Sequence, residues 1–343
     1  MKRAILPVAL IATLIVCVTT ANAKIRRVGY FGTAISGTDY TDFQTAHDVA
    51  TAGDTIQLYP GNWSANVSKK LIVEGYGYNW AAPHSNLNLQ NISGTQNVTI
   101  VLKAGSNNSV FEGLDGLSLR GDATGTTISA ITIRRCQGDI NFTYNNVYTN
   151  FIINQCYLGY VYNNSTGKAT NITINNSYVY YYYDYGTNAG VTGQLTNCII
   201  RSINLATSSY ILKNNIFLYS YSGGVNSVFQ YDMFNSSYVN PVPAGTGNFN
   251  ITNAAMSATV FVGYDGSETP TGTNSNDGRF ALTAGSPAKA KGEGGKDQGI
   301  FGGLNPYKLS GIPAIPAFYK LTATSTSTAG NPYTITFSVR GNN

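Results

Sequence analysis

Histidine is almost absent from this 343-residue chain, with His47 and His84 the only two, and they share no repeat unit. A Ser-His-Asp relay or a histidine-ligated metal needs an imidazole held beside its partners, so neither is expected. Charge is scarce as well: Asp, Glu, Lys and Arg make up 11% of the residues and leave a formal net charge of +5. Removing Lys2 and Arg3 lowers this to 19 basic against 16 acidic residues, or +3, too weak a balance to point to nucleic acid. Beyond the first two dozen residues, no apolar run approaches the ~20 positions that a membrane span requires. Cysteine is limited to Cys17, Cys136, Cys156 and Cys198, without the paired Cys/His spacing of a metal site.

What is present begins with a leader. Lys2 and Arg3 precede an apolar stretch over residues 4–18, and Ala21-Asn22-Ala23 supplies a small-x-small cleavage site. This predicts a secretory signal peptide over residues 1–23, a mature chain from Lys24, and a secreted or cell-surface location. Cys17 follows Val16 where a lipobox wants a small residue, which argues against a lipoprotein. Asn, Thr, Ser, Gly and Tyr dominate the remainder, which suits stacked strands joined by hydrogen-bonding turns and a surface that meets neutral or acidic sugars.

Five segments align over six positions: ITIRRC from Ile131, FIINQC from Phe151, ITINNS from Ile172, GQLTNC from Gly193 and YILKNN from Tyr210. Their third residues form the column Ile133, Ile153, Ile174, Leu195, Leu212, with steps of 20, 21, 21 and 17 residues. Steps of this size fit a solenoid coil of three short strands and three turns. Coils contact only their neighbours, so one such domain can extend well past the usual length. Two positions on, Arg135, Gln155, Asn176, Asn197 and Asn214 predict a ladder of side-chain amides. The next column, Cys136, Cys156, Ser177, Cys198, Asn215, predicts an inward stack with free thiols. Coils about 4.8 Å apart hold parallel Cβ vectors farther apart than the ~3.8 Å of a disulfide, and Cys198 lies two coils from Cys156. LIVEGYG from Leu71 and VFEGLDG from Val110 repeat a strand-Glu-Gly corner, while Val98, Ile100 and Leu102 supply further rungs. The solenoid is therefore expected over residues 55 to about 229.

Ahead of it stands FQTAHDVATAGDTIQLYPGNW, residues 43–63. Asp42 can cap a helix whose Phe43, Ala46, Val49 and Ala50 share a face, Gly53 stops it, and Ile56 and Leu58 alternate in the strand that follows. This run resembles the N-terminal cap and first coil of the pectin-lyase-like superfamily. The resemblance implies a right-handed parallel β-helix, all-β and single-stranded, with a capping helix at its open end. FALTAGSPAKAKGEGGKDQGIFGG, residues 280–303, resembles the closing coil of secreted bacterial β-helix proteins. The β-helix domain is thus placed at residues 24–316 and a C-terminal β tail at 317–343. Two alternating segments of the tail, 318–324 and 333–339, can form a hairpin over an exposed edge, or a sorting or docking segment. The Asn-Thr-Asp, Asp-Asp and Gly-His-Gly motifs of the polygalacturonase-like members are missing, as is the pectate-lyase-like Trp-Ile-Asp-His, so the superfamily resemblance carries fold and not chemistry.

Two groups of residues can carry function. Arg134 and Arg135, one coil from Arg120 and Asp115 and close to Asp139, are the candidate catalytic cluster. β-Elimination of a uronate polymer needs a basic proton acceptor and a cation, Ca²⁺ or a basic side chain, on the carboxylate. A solvated, salt-bridged patch is the competing reading, and no cofactor or metal site is otherwise indicated. The second group is tyrosine: Tyr178, Tyr180, Tyr181, Tyr182, Tyr183 and Tyr185 crowd one turn, with Tyr157, Tyr160 and Tyr162 one coil earlier at matching offsets. Outward rings on successive coils, with Tyr160, Tyr181 and Tyr182 as candidates, would form a strip for sugar faces. Tyrosine also pads strands through its β propensity alone. The reading adopted is a secreted or surface-associated β-helix that binds extracellular polysaccharide. Its rivals are a polysaccharide lyase or glycoside hydrolase acting on acidic polysaccharide, and a structural adhesin or filament subunit.

Overall fold

The computed structural model describes residues 23–78, 80, 94–163, 168–184, 191–224, 226–239, 241–270 and 273–314, with the strands Ala317–Ala323 and Ile335–Arg340. Residues 1–22, where the signal peptide is expected, and the stretch holding His84 lie outside the described residues. The chain forms a parallel β-helix. Its first sheet has 11 strands, running from Asp39–Tyr40 and Ile25–Val28 through Thr132–Arg134 and Ile152–Asn154 to Val228–Gln230. The second, also of 11 strands, runs from Gly61–Val67 to Phe249–Ile251. A third side is strand-like in the coils of Thr127–Ser129, Val147–Thr149 and Lys168–Thr170.

Register follows the apolar column. Ile133 pairs with Ile153, Ile153 with Ile174, Ile174 with Leu195, and Leu195 with Leu212. The stack extends back to Phe111, Val73 and Ile56 and on to Phe229, and every member is buried. On the second sheet Ile100, Leu119, Ile140, Val161, Tyr182 and Ile203 form the matching inner column. A one-residue slip would turn either stack out to water, which is why the register is so strongly specified.

The helix α1, Phe43–Val49, is capped by the Asp42 carboxylate, which accepts the Thr45 amide at 2.7 Å. Phe43, Ala46 and Ala50 are buried, and so is His47, whose Nε2 accepts the Ser68 amide at 3.1 Å. Val49 departs from expectation and is 49% exposed. At 100° per residue it sits about 100° from the centre of the face shared by the other four.

The turns after five consecutive first-sheet strands, from Thr132–Arg134 to Ser209–Lys213, each depend on a left-handed residue. Arg135, Gln155, Asn176, Asn197 and Asn214 all have φ between 46° and 58°, a region that Asn tolerates better than most residues. Each gives its backbone N–H to the next coil, as Arg135 does to the Asn154 carbonyl at 3.0 Å and Asn176 to that of Thr196 at 3.0 Å. Their side chains build the expected ladder only in part, with Arg135 Nε donating to Gln155 Oε1 at 3.0 Å and Asn214 Nδ2 to Asn197 Oδ1 at 3.5 Å. They reach outward to carbonyls of residues 297–312: Asn176 Nδ2 donates to Ile300 and Gly302 at 3.0 and 2.7 Å, Asn197 Nδ2 to Asp297 at 3.2 Å, and Gln155 Nε2 to Pro306 at 2.6 Å. Arg135 Nη1 donates to Ile312 at 3.1 Å. An outward amide with no sheet partner bonds the nearest free carbonyl, and here a second stretch of chain supplies it. A further amide bond lies one position earlier, where Asn175 donates to Asn154 at 3.0 Å.

The segment that resembles a closing coil therefore runs along the side of the solenoid as a strap. It begins where Gln298 donates to the Tyr231 carbonyl and ends where the Tyr78 amide donates to Ser310 at 2.8 Å, crossing eight successive strands of the first sheet. The buried Asp277 fixes its far end, accepting the Ser310 amide at 2.6 Å and the Tyr307 hydroxyl at 3.2 Å. Tyr178, Ile199, Ile216 and Met233, which point out of the second sheet, are buried against Phe280, Ile300 and Tyr307 as a second core. In the tail, Ala317–Ala323 and Ile335–Arg340 pair antiparallel.

The cysteine column is a relay of buried acceptors. The Cys136 amide donates to Cys156 Sγ at 3.5 Å, that of Cys156 to Ser177 Oγ at 3.0 Å, that of Cys198 to Asn215 Oδ1 at 2.8 Å, and that of Asn215 to Asp232 Oδ1 at 2.7 Å. The three thiols are free and buried, and burial pushes Cys198 up to about 12. Asp232 is fully buried; despite the amides of Asn215 and Gln230, loss of hydration pushes its carboxyl up to about 8.

Replacing Ile153 by Ala is expected to cost about 2–4 kcal/mol in denaturant titration, through lost burial and an incompletely collapsed cavity. Ile153→Asp should cost more, because it buries an unpaired charge. A thiol reagent should label Cys136, Cys156 and Cys198 only after denaturation, since buried, protonated thiols are inert. The native protein keeps the Asp232 proton up to about pH 8, whereas the unfolded chain releases it near pH 4. Its contribution is thus fully present below about pH 4 and lost as pH rises to about 8. Melting curves across that window should show Asp232→Asn overtaking the parent protein, by on the order of a few kcal/mol at the alkaline end.

Candidate functional site

The tyrosines are aimed by a β-bulge. In the second sheet Gly138 pairs with Leu158 but Ile140 pairs with Val161, so the strand Tyr157–Asn163 carries one residue more than its neighbour. Asp139 Oδ1 accepts the Tyr160 amide at 2.8 Å within this irregularity. Strict alternation from Leu158 would turn Tyr160 inward, and the extra residue turns it outward instead. The next coil copies the arrangement, with Tyr160 beside Tyr181, Val161 beside Tyr182 and Tyr162 beside Tyr183.

Four outward rings result. Tyr160, Tyr162, Tyr181 and Tyr183 are half-buried, with centroids 5.1 Å apart between Tyr160 and Tyr162, 5.4 Å between Tyr160 and Tyr181, 5.7 Å between Tyr162 and Tyr183, and 5.2 Å between Tyr181 and Tyr183. Their planes lie within 7–19° of parallel. Tyr182 does not belong with them. It is fully buried between Val161 and Ile203, its hydroxyl meets that of Tyr210 at 2.5 Å, and burial pushes its phenol well above the usual range. The expected strip is also shorter than one ring per coil: Asp139 and Asn141 precede the patch, and Ser202 and Asn204 follow it.

Beside the patch, the Arg201 guanidinium lies 4.6, 4.8 and 4.9 Å from the ring centroids of Tyr180, Tyr181 and Tyr219. It donates to the Tyr181 hydroxyl and the Glu268 carboxylate, each at 2.5 Å. A planar cation held against several rings is favourable in itself, and here it also locks Tyr181.

Arg134, Arg135 and Asp139 are not brought together. Arg134 projects from the first sheet and pairs with Glu112 at 2.6 Å. Arg135 is buried in its left-handed turn, donating to Gln155 at 3.0 Å and to the strap, and burial holds its pKa below the ordinary value. Asp139 belongs to the second sheet and serves the bulge. Arg134 and Arg135 thus share Glu112, at 2.6 and 3.7 Å, while Asp139 does structural work apart from them. Among the described residues no three His, Cys, Asp or Glu side chains are grouped to hold a metal ion.

One feature escaped the sequence reading. Between the outer face of the first sheet and the strap runs a polar trough, lined by Arg134, Asn154, Asn175, Lys213, Lys296 and Lys308 among others. Its two walls are some 80 or more residues apart in the chain, and no local pattern announces their meeting.

No protein-family model matches this chain, and no curated protein matches it in sequence. Among the described residues, no helix is long and apolar enough to cross a membrane.

Proposed function

We propose that this is an exported β-helix protein that binds extracellular polysaccharide on its flank. The observation that carries this reading is the set of four near-parallel tyrosines on two adjacent coils, held outward by a bulge although the solenoid core is complete without them. Flat aromatic surface accepts the C–H face of a sugar, and a pocket or strip of this kind gains specificity from a few polar groups at its border. Asp139, Asn141 and Asn204 stand at that border, with Ser202 buried beside Tyr181. Stacking between rings and the Arg201 clamp pre-orders the side chains, which lowers the entropy lost on binding. Lyase and hydrolase chemistry gains no comparable support, because Asp139 lies apart from Arg134 and Arg135.

Calorimetric titration of residues 24–343 against neutral and acidic polysaccharides tests the proposal. Tyr160→Ala and Tyr181→Ala should each weaken binding by about 1–3 kcal/mol, as truncation of a well-placed interfacial ring does. Tyr182→Ala should instead lower the melting temperature sharply, at about 3–5 kcal/mol for an emptied aromatic core site. If no polysaccharide gives heat, or if the Tyr160/Tyr181 double variant binds like the parent, a structural surface role takes precedence.

A further inference from the structure

The geometry points to a second site, in the trough between the first sheet and the strap, that takes a linear polyanionic polysaccharide through its carboxylate or sulfate groups. Two adjoining hollows of about 360 and 460 Å³ share Asn154, Leu304 and Asn305 and so form one channel. Arg134, Arg135, Lys213, Lys296 and Lys308 line it, against the single lining carboxylate of Glu293 and the buried Glu112 beneath the two arginines. In a chain only 11% charged, this is a concentration of one sign, and a channel with low-dielectric walls focuses its field on anything that enters.

The spacing suits a polymer. Arg134, Asn154, Asn175, Thr196 and Lys213 are successive register partners, so the two cations stand four coil steps apart, or about 19 Å at ~4.8 Å per step. That is roughly the length of four hexose units. Between them, the Asn175 to Asn154 bond uses one N–H and one carbonyl oxygen. The Asn154 amino group and the Asn175 oxygen remain to meet sugar hydroxyls. Lys213 is already held at 2.6 Å from Glu293, a rim pair that is 25% and 54% exposed and that an entering anion can exchange for itself. This inference rests on the polysaccharide reading for the class of ligand but not on the tyrosine patch.

The test is titration with heparin, polygalacturonate and dextran, and with inorganic sulfate as a small-anion probe, at low and high salt. Lys213→Ala/Lys296→Ala should weaken binding of at least one polyanion by about tenfold or more and reduce its salt dependence, since two of the charges facing it are gone. Lys70→Ala/Lys168→Ala, which removes the same charge from exposed positions elsewhere, should leave it unchanged. Heparin alone would identify sulfate, and polygalacturonate alone carboxylate; either supports the site. It is overturned if neither polyanion binds at low salt, if both lysine pairs matter equally, or if inorganic sulfate binds as tightly as the polymers. Tyr160→Ala/Tyr181→Ala in parallel keeps the two sites apart, because loss of the tyrosine patch should leave cleft binding intact.

Discussion

Everything in this protein is referred to one contact, the backbone amide of a left-handed turn residue donating to the next coil. It sets the pitch at each corner, so that the strand before it and the strand after it both arrive in register. The same φ points the side chains of Gln155, Asn176 and Asn197 away from the solenoid, where they need partners that the sheets cannot give. The strap answers that need. Its carbonyls take the amides, its Phe280, Ile300 and Tyr307 cover apolar positions of the second sheet, and in doing so it raises a wall along the first. One backbone conformation, repeated, thus docks the strap and lines the trough, while the bulge beside Asp139 sets the tyrosine flank.

The repeat was legible because its signal is local. Ile133, Ile153, Ile174 and Leu195 recur at a nearly constant step, and a buried column tolerates no slip. The thiol stack was legible for the same reason, since inter-coil distance alone decides against a disulfide. Three readings went astray where a local rule met a non-local partner. Tyr182 was offered as an outward candidate beside Tyr160 and Tyr181, but the bulge at Asp139 in the preceding coil sets a parity that turns it into the core. Asn176 and Asn197 were read as stacking on one another because they share a column, whereas their Nδ2 groups donate to carbonyls 100 or more residues away. Residues 280–303 look like a closing coil by motif, and only the open amides along the flank show why they run lengthwise. Arg135 misled in another way: its charge suggests chemistry, while its conformation and burial make it a turn residue.

The two flanks differ in kind. The tyrosine patch is rigid, aromatic and short. The trough is cationic, amide-rich and longer, and its direction follows the solenoid axis.

The strap also alters how the solenoid comes apart. Coils that touch only their neighbours open one at a time from an end, each at its own small free-energy cost. A segment bonded from the coil of Tyr231 to that of Tyr78 removes this independence, because the last coil cannot peel away without drawing the strap from the others. Under tension along its axis, the protein behaves less like a zipper than like a stack of rings with a cord tied down one side. It stays closed until the cord gives, and then a long stretch is free to open together.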